Sequence, residues 1–259
     1  MKYIAEHVEI SNFEVYGNQT YLESMSDAKD FCIYQYYRTP DSPDVAHLKA
    51  PFDYWNLSSK SFNQYSKEHG LDYKFLTHTH PIDPFYGIFL PFTEGWCDEY
   101  DAFCFVDSDM LATKQSPNIF DFASDKHISM YCMRTGAYQG HSRLKPLQAY
   151  GGHFNSGTVV FPRSSYNHLQ QHLSKNLKHH HQLVGSGDTL VGGLGGYDQA
   201  YLNLYAVDNN IPVNKLTQEW NYHLSRLPND KRFSAYFIHY HRHHKKQMQE
   251  DQNDERILL

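Results

Sequence analysis

Apolar and polar residues alternate along the chain in blocks that read as alternating strands and helices. Phe31-Cys32-Ile33-Tyr34-Gln35-Tyr36-Tyr37 is aromatic and nearly uncharged, and Arg38-Thr39-Pro40-Asp41-Ser42-Pro43 breaks it, as a loop after a buried strand would. Between positions 54 and 69, Trp55, Ser59, Phe62, Ser66 and His69 recur at three- and four-residue spacing, and Gly70 stands where a helix C-cap glycine belongs. Residues 71–77 predict a second strand, 85–96 a weaker helix or loop, and 101–106 (Asp-Ala-Phe-Cys-Phe-Val) a fully buried third strand. Residues 127–132 and, more clearly, 154–161 add strands, and Ser164 or Ser165 is placed to cap a helix with Leu169, Leu173 and Leu177 on one stripe. The glycine-rich stretch 185–196 reads as a loop, 197–207 as a helix, 235–240 as a last strand, and 245–259 as a charged, frayed end. Strand, helix, strand alternation predicts an α/β protein with parallel pairing.

Composition narrows the class. With 259 residues, 40% of them hydrophobic, the chain can close one sizeable core, and 15% aromatic content against 20% charged excludes a disordered chain. The expected organisation is an extension over residues 1–30 laid on the domain, a single domain over 31–245, and a charged tail over 246–259. A formal net charge of −6 gives no pull toward nucleic acid or anionic membranes. No apolar run reaches the roughly 18 residues of a membrane span, and Met1-Lys2-Tyr3-Ile4-Ala5-Glu6-His7 lacks a signal peptide's apolar core. A soluble, unsecreted protein without a transmembrane segment is expected. Cys32, Cys97, Cys104 and Cys132 show no CxxC pairing, which fits buried thiols in a reducing compartment.

The sharpest chemical signal is Asp107-Ser108-Asp109, directly after the buried run ending at Val106. Ligands of open α/β sheets bind at that strand edge. Two carboxylates one residue apart can share a hard divalent cation such as Mg²⁺ or Mn²⁺, although the same triplet also occurs as a solvated turn. Phe154-Asn155-Ser156-Gly157 opens a strand with small residues that admit close backbone approach. Asp198-Gln199, followed by Leu202-Asn203, lies at a helix start, where the dipole favours a carboxylate. His239-Tyr240 ends the last strand, and Lys245 follows six residues after His239. His241 is the one rival to His239 as a ligand, and the His179-His180-His181 and His243-His244 clusters read as solvated or adventitious metal binders.

The order of these four motifs resembles the metal-dependent glycosyltransferases of the GT-A fold, most closely the retaining glycogenin-like and bacterial galactosyltransferase-like (family 8-like) group. The resemblance spans roughly residues 31 to 245 and implies a nucleotide-diphospho-sugar transferase fold, with a Rossmann-like, mostly parallel central sheet flanked by helices. It implies that Asp107, Asp109 and His239 hold Mn²⁺ or Mg²⁺ against the diphosphate of a UDP-sugar, with Ser108 and Lys245 near the phosphates and Tyr37, Arg38 and Thr39 near the base. Asn155, Ser156 and Gly157 would face the sugar. Asp198 and Gln199 would lie at the reacting carbon, and which of them acts directly stays open. The implied activity is transfer of a hexose, glucose or galactose favoured, to an unknown glycan or other acceptor, with retention. Compact transferases of this kind resemble those that bacteria and large DNA viruses use for surface glycans, so a cytoplasmic location is expected, the host's cytoplasm for a virus-encoded protein. Three departures stand out: the long N-terminal extension, Lys245-Lys246-Gln247 where the group has Lys-Pro-Trp, and no Lys or Arg in 85–96, where the group carries a basic residue toward the sugar.

Two alternatives carry different chemistry. Residues 103–111 also resemble the strand and Asp-x-Asp of haloacid-dehalogenase-type phosphatases, whose first Asp is a nucleophile, but that motif normally opens its chain and no late acidic pair completes it here. A catalytically inactive nucleotide-sugar or glycan binder on a transferase fold is the non-enzyme alternative.

Overall fold

The computed structural model describes residues 29–37, 53–78, 80–133 and 142–259. The expected 1–30 extension, save its last two residues, and Arg38 and Thr39 lie outside the described residues. A six-stranded sheet runs in the order β2-β1-β3-β6-β5-β7. Its strands are β1 (Lys29–Tyr36), β2 (Asp72–Leu76), β3 (Tyr100–Val106), β5 (Ser129–Met133), β6 (His153–Pro162) and β7 (Asn214–Leu216). The β2/β1, β1/β3 and β5/β7 pairings are parallel, and β6 is antiparallel to both neighbours. A second sheet of β4 (Met110–Ala112), β9 (Phe237–His239) and β8 (Tyr222–His223) stands beside it, with β9 in the middle.

The central strands are buried on both faces. Along β3, Phe103 and Phe105 enter the cluster under α2 (Tyr166–Gly185) and α4 (Tyr197–Asp208), while Ala102, Cys104 and Val106 enter the cluster under α1 (Tyr54–His69). Side chains alternate across a strand, so an unbroken apolar run can feed two cores only if both faces are covered. The stripe Leu169, Leu173 and Leu177 of α2 is buried as expected, whereas Ser165 bonds the Pro162 carbonyl and does not cap the helix through its side chain. α1 ends at Gly70 in the left-handed region (φ 67°), where its N–H closes onto the Lys67 and Ser66 carbonyls. Its buried face is Tyr54, Ser58, Ser61, Phe62, Tyr65 and Ser66, one step round from the stripe expected through Trp55 and Ser59. The small serines let α1 lie close on the sheet, and Ser61 Oγ accepts the Ala112 N–H at 3.0 Å.

Two expectations are corrected. The stretch 185–196 is not an open loop: Asp188 caps a short helix α3 (Thr189–Gly193) by accepting the Leu190 and Val191 N–H groups, and Val191 and Leu194 are buried. The C-terminal residues are not frayed. They form α5 (Lys245–Asp251) and then run beside β4, where Leu258 N–H donates to Ala112 O at 3.0 Å, with Met248, Asp251, Ile257 and Leu258 buried. High average charge concealed a few inward-facing anchors. All four cysteines are buried thiols. Among the described residues no helix is long and apolar enough to cross a membrane.

Candidate active site

Three strand ends meet at one cleft. β3 ends at Val106, opposite Thr158 of β6, and Asp107 N–H continues the ladder by donating to Gly157 O at 2.9 Å. β4 begins just past Asp109 and pairs antiparallel with β9 so that Met110 faces His239. This register delivers the imidazole to the carboxylates: His239 Nε2 lies 3.1 Å from Asp109 Oδ1 and 3.6 Å from Asp107 Oδ2. Lys245, at the first turn of α5, places Nζ 3.5 Å from Asp109 Oδ2 and 4.1 Å from the centre of the Tyr54 ring. The backbone beneath is held by Gln35, buried in β1, whose Nε2 donates to Asp107 O at 3.1 Å and to Ser58 Oγ at 2.8 Å.

The side chains behind the cleft form a one-way chain of amides. Asn155 Oδ1 accepts the Gly157 N–H, a donor that cannot reverse, so Asn221 Nδ2, 2.6 Å away, must also donate to it. Asn221 then presents Oδ1 to His239 Nδ1 at 2.9 Å, which requires the proton on Nδ1. At the other end Asn155 Nδ2 donates to Gln199 Oε1, and Gln199 Nε2 donates to the Leu194 carbonyl. Obligate backbone partners at both ends fix every amide. The amide chain fixes Nδ1–H and leaves Nε2 facing the two carboxylates, where it carries either a second proton toward Asp109 or, in the neutral ring, the lone pair that outer hydrogen bonds present in metal-binding histidines.

The electrostatics say what this corner lacks. His239 Nε2 is buried between the Asp109 and Asp107 carboxylates without a well-formed hydrogen bond, and the Lys245 charge stands at the side. Burial opposes charge on both acids. At Asp109, His239 and Lys245 outweigh it and hold the carboxyl well below its usual range, while Asp107 beside the Asp109 charge is driven upward. His239 moves upward because the two carboxylates overcome its burial. A proton or a cation answers the same need, and one ligand atom each from Asp107, Asp109 and His239 lies within 4.8 Å of the others.

The cleft has a volume of about 520 Å³ and is lined by Tyr37, Ser108, Asn155, Ser156, Asp198 and Gln199 besides Asp107, Asp109, His239 and Lys245. Of the residues singled out from sequence, these and Gly157 are brought together. Asp198 stands at the start of α4 behind Tyr197, a non-glycine residue in the left-handed region (φ 32°), a strained backbone of the kind that functional sites retain. Burial and then the Asp107 charge push the Asp198 carboxyl up to about 8. Gly157 has no room for a side chain: a Cβ there would sit 2.8 Å from His239 Cε1. Tyr37 stacks on Trp55, with ring centres 5.4 Å apart and planes 15° from parallel.

Sequence reasoning missed three members. Gln35 and Asn221 are polar residues inside aromatic runs, and that mismatch is the signal that could have found them. His223 is buried on β8 beside His239, its imidazole pushed down to about 2 by burial and then by His239 and His241, and so neutral. His180, expected in solvent, is buried and bonded to the Tyr197 carbonyl at 2.8 Å.

No family model matches this chain, and no curated protein matches its sequence. Among solved structures it is similar to a glycosyltransferase involved in the glycosylation of the major capsid of PBCV-1, with a TM-score of 0.54 and 10% identity over 86% of this chain and 98% of that one. It is also similar to the glycosyltransferase GlyE of Streptococcus pneumoniae TIGR4, with a TM-score of 0.51 and 12% identity over 87% of this chain and 60% of that one. The galactosyltransferase LgtC, whose structure carries donor and acceptor sugar analogs, matches with a TM-score of 0.51 and 12% identity over 85% and 95%. At such identities the likeness is one of fold, and the fold is GT-A, a mostly parallel sheet with flanking helices as expected. It replaces the fold of the phosphatase alternative.

Proposed function

We propose that this protein is a glycosyltransferase that moves a hexose, glucose or galactose, from a UDP-sugar to a carbohydrate or other glycoconjugate acceptor, with Mn²⁺ or Mg²⁺ bound and with retention at the anomeric carbon. The observation that carries the proposal is the convergence of the buried His239 Nε2 on the Asp107 and Asp109 carboxylates with Lys245 alongside. The donor set, two carboxylate oxygens and one imidazole, suits a divalent ion of that class, and its nitrogen inclines it toward Mn²⁺. Asp107, Asp109 and His239 would hold the ion, which supplies Lewis-acid stabilisation of the leaving diphosphate.

The chain's own residues account for the rest. As the bond from the anomeric carbon to the β-phosphate oxygen breaks, its electron pair stays on the nucleotide, and the Lys245 ammonium is placed to stabilise that charge. Tyr37 at the cleft edge offers a ring to the uracil, and Ser108 a hydroxyl to the phosphates; Arg38 and Thr39 stay in the proposal on sequence grounds. Ser156 and the Gly157 backbone would face the sugar. Asn155 lines the same wall, but its amide is engaged with Asn221, Gly157 and Gln199, which favours a positioning role. The same reasoning favours Asp198 over Gln199 as the group at the reacting carbon, because both ends of the Gln199 amide are tied. A carboxyl raised to about 8 by burial and then by the Asp107 charge ionises more readily once that charge is neutralised, which couples Asp198 to ion binding.

Calorimetric titration of UDP with Mn²⁺, with EDTA, and on Asp109→Ala tests the proposal. Binding that needs the ion and is lost in the variant supports it, and a panel of UDP-sugars with anomer analysis then assigns donor and stereochemistry. No UDP binding in the presence of Mn²⁺ removes the UDP-sugar assignment.

A further inference from the structure

Beside the Asp107, Asp109 and His239 corner lies a second group of ligand atoms. β8 and β9 pair in parallel with His223 directly opposite His239, so alternation sends both imidazoles to one side, and His241 follows two residues after His239, just past the end of β9. Ring centres are 4.7 Å apart for His223 and His239, 5.0 Å for His223 and His241, and 5.8 Å for His239 and His241. One ring nitrogen from each lies within 4.8 Å of the other two. His223 Nδ1 contacts Ser225 Oγ at 2.8 Å and His239 Nδ1 is bonded to Asn221, so in both rings it is Nε2 that remains for an ion. His223 and His239 are 5% and 2% exposed, which keeps water from competing on the inner side.

We propose that His223, His239 and His241 form a separate site for a borderline transition-metal ion of the Zn²⁺ class, and that this site overlaps the carboxylate site through His239. Three neutral imidazoles are a donor set that Zn²⁺ uses with a fourth, open position, and one that Mg²⁺ and Ca²⁺ do not favour. At Zn–N distances near 2.0–2.1 Å, tetrahedral nitrogens stand about 3.3 Å apart, so the rings must draw together by side-chain rotation. The carboxylates of Asp107 and Asp109 contact the same Nε2 of His239, and Arg226 lines the cleft nearby. An ion held by the three imidazoles withdraws His239 from the two aspartates. Zinc would therefore antagonise the Mn²⁺-dependent site. The histidine site stands on its own geometry, and only the antagonism rests on the proposed function.

The test uses the full chain, with Zn²⁺ followed by calorimetry and Co²⁺ by its visible d–d absorption, on the parent, His223→Asn, His241→Gln and Asp109→Ala proteins. The expected result is one tight Zn²⁺ or Co²⁺ with a four-coordinate spectrum, retained in Asp109→Ala. It should weaken in both histidine variants by more than the ~10–100-fold that loss of even an outer-shell partner costs. Mn²⁺-dependent UDP binding should be competed away by Zn²⁺ in the parent. His241, only half-buried, serves where His223→Asn fails to fold. Zn²⁺ binding unchanged in both histidine variants would place the ion at another cluster such as His179-His180-His181 and overturn the site, as would its loss in Asp109→Ala alone. Loss of UDP binding by the parent with the histidine-dependent Zn²⁺ site intact would instead overturn the donor assignment.

Discussion

Replacing Asn221 by leucine removes the residue that sets the proton position on His239. In the parent, Asn221 Oδ1 accepts from His239 Nδ1 at 2.9 Å and Asn221 Nδ2 donates to Asn155 Oδ1 at 2.6 Å. Asn155 Oδ1 keeps the Gly157 N–H, so its loss is one ordinary hydrogen bond, about 1 kcal/mol. His239 is 2% exposed, and its Nδ1–H is left without a partner at about 1–3 kcal/mol. The sum, about 2–4 kcal/mol, corresponds to a fall in Tm of roughly 4–16 °C for a chain of this size. The imidazole can recover part of that by moving its proton to Nε2, where it meets Asp109, and that removes the lone pair from the metal site. Mn²⁺ affinity, by calorimetry with UDP present, should then drop ~10–100-fold, the usual cost of losing an outer-shell partner. At a pH high enough to keep the ring neutral, nitrogen NMR of the imidazole should show the Nδ1–H form in the parent and the Nε2–H form in the variant, a change that mere loosening of the fold would not produce. Unchanged Mn²⁺ affinity with the Nδ1–H form retained would refute the reasoning.

Three further outcomes are expected. Gly157→Ala puts a Cβ 2.8 Å from His239 Cε1 and 2.9 Å from Asn155 Oδ1; it should cost ~1–3 kcal/mol in denaturant melts and weaken Mn²⁺ binding by pushing His239 off the aspartates. Asp251, the last residue of α5, is buried and accepts from Arg232 Nε at 2.7 Å, Arg232 Nη2 at 2.8 Å and Tyr240 Oη at 2.8 Å, so Asp251→Ala should cost ~3–5 kcal/mol and loosen the turn that carries Lys245, seen as weaker UDP binding. Asp198 has a folded pKa of about 8, above its unfolded value, so its ionisation opposes folding: the cost is absent below about pH 4, grows as pH rises toward 8 and is constant beyond. Asp198→Asn should therefore raise the metal-free stability by ~1–3 kcal/mol at pH 8, allowing for solvent screening, and by almost nothing at pH 4. A gain of equal size at both pH values would contradict the assignment.

The sequence by itself determined the elements that local rules control. The uncharged run into Val106 had to be a doubly covered strand, Gly70 had to close α1, and Asp107 and Asp109 had to emerge at the carboxyl end of that strand, since neighbouring residues and alternation settle each. Short elements were not legible in this way. β4 and β8 are too brief to show a period, the helix after Asp188 hides among glycines, and the C-terminal anchors are few among many charges. Tertiary structure alone decided the site's chemistry. Only the β4/β9 register brings His239 to Asp109, and only packing between residues distant in sequence links Asn221 to Asn155 and Asn155 to Gln199. Proton position and lone-pair direction depend on such pairings, because a buried donor or acceptor takes whatever partner the fold supplies, and no local pattern encodes a partner that remote.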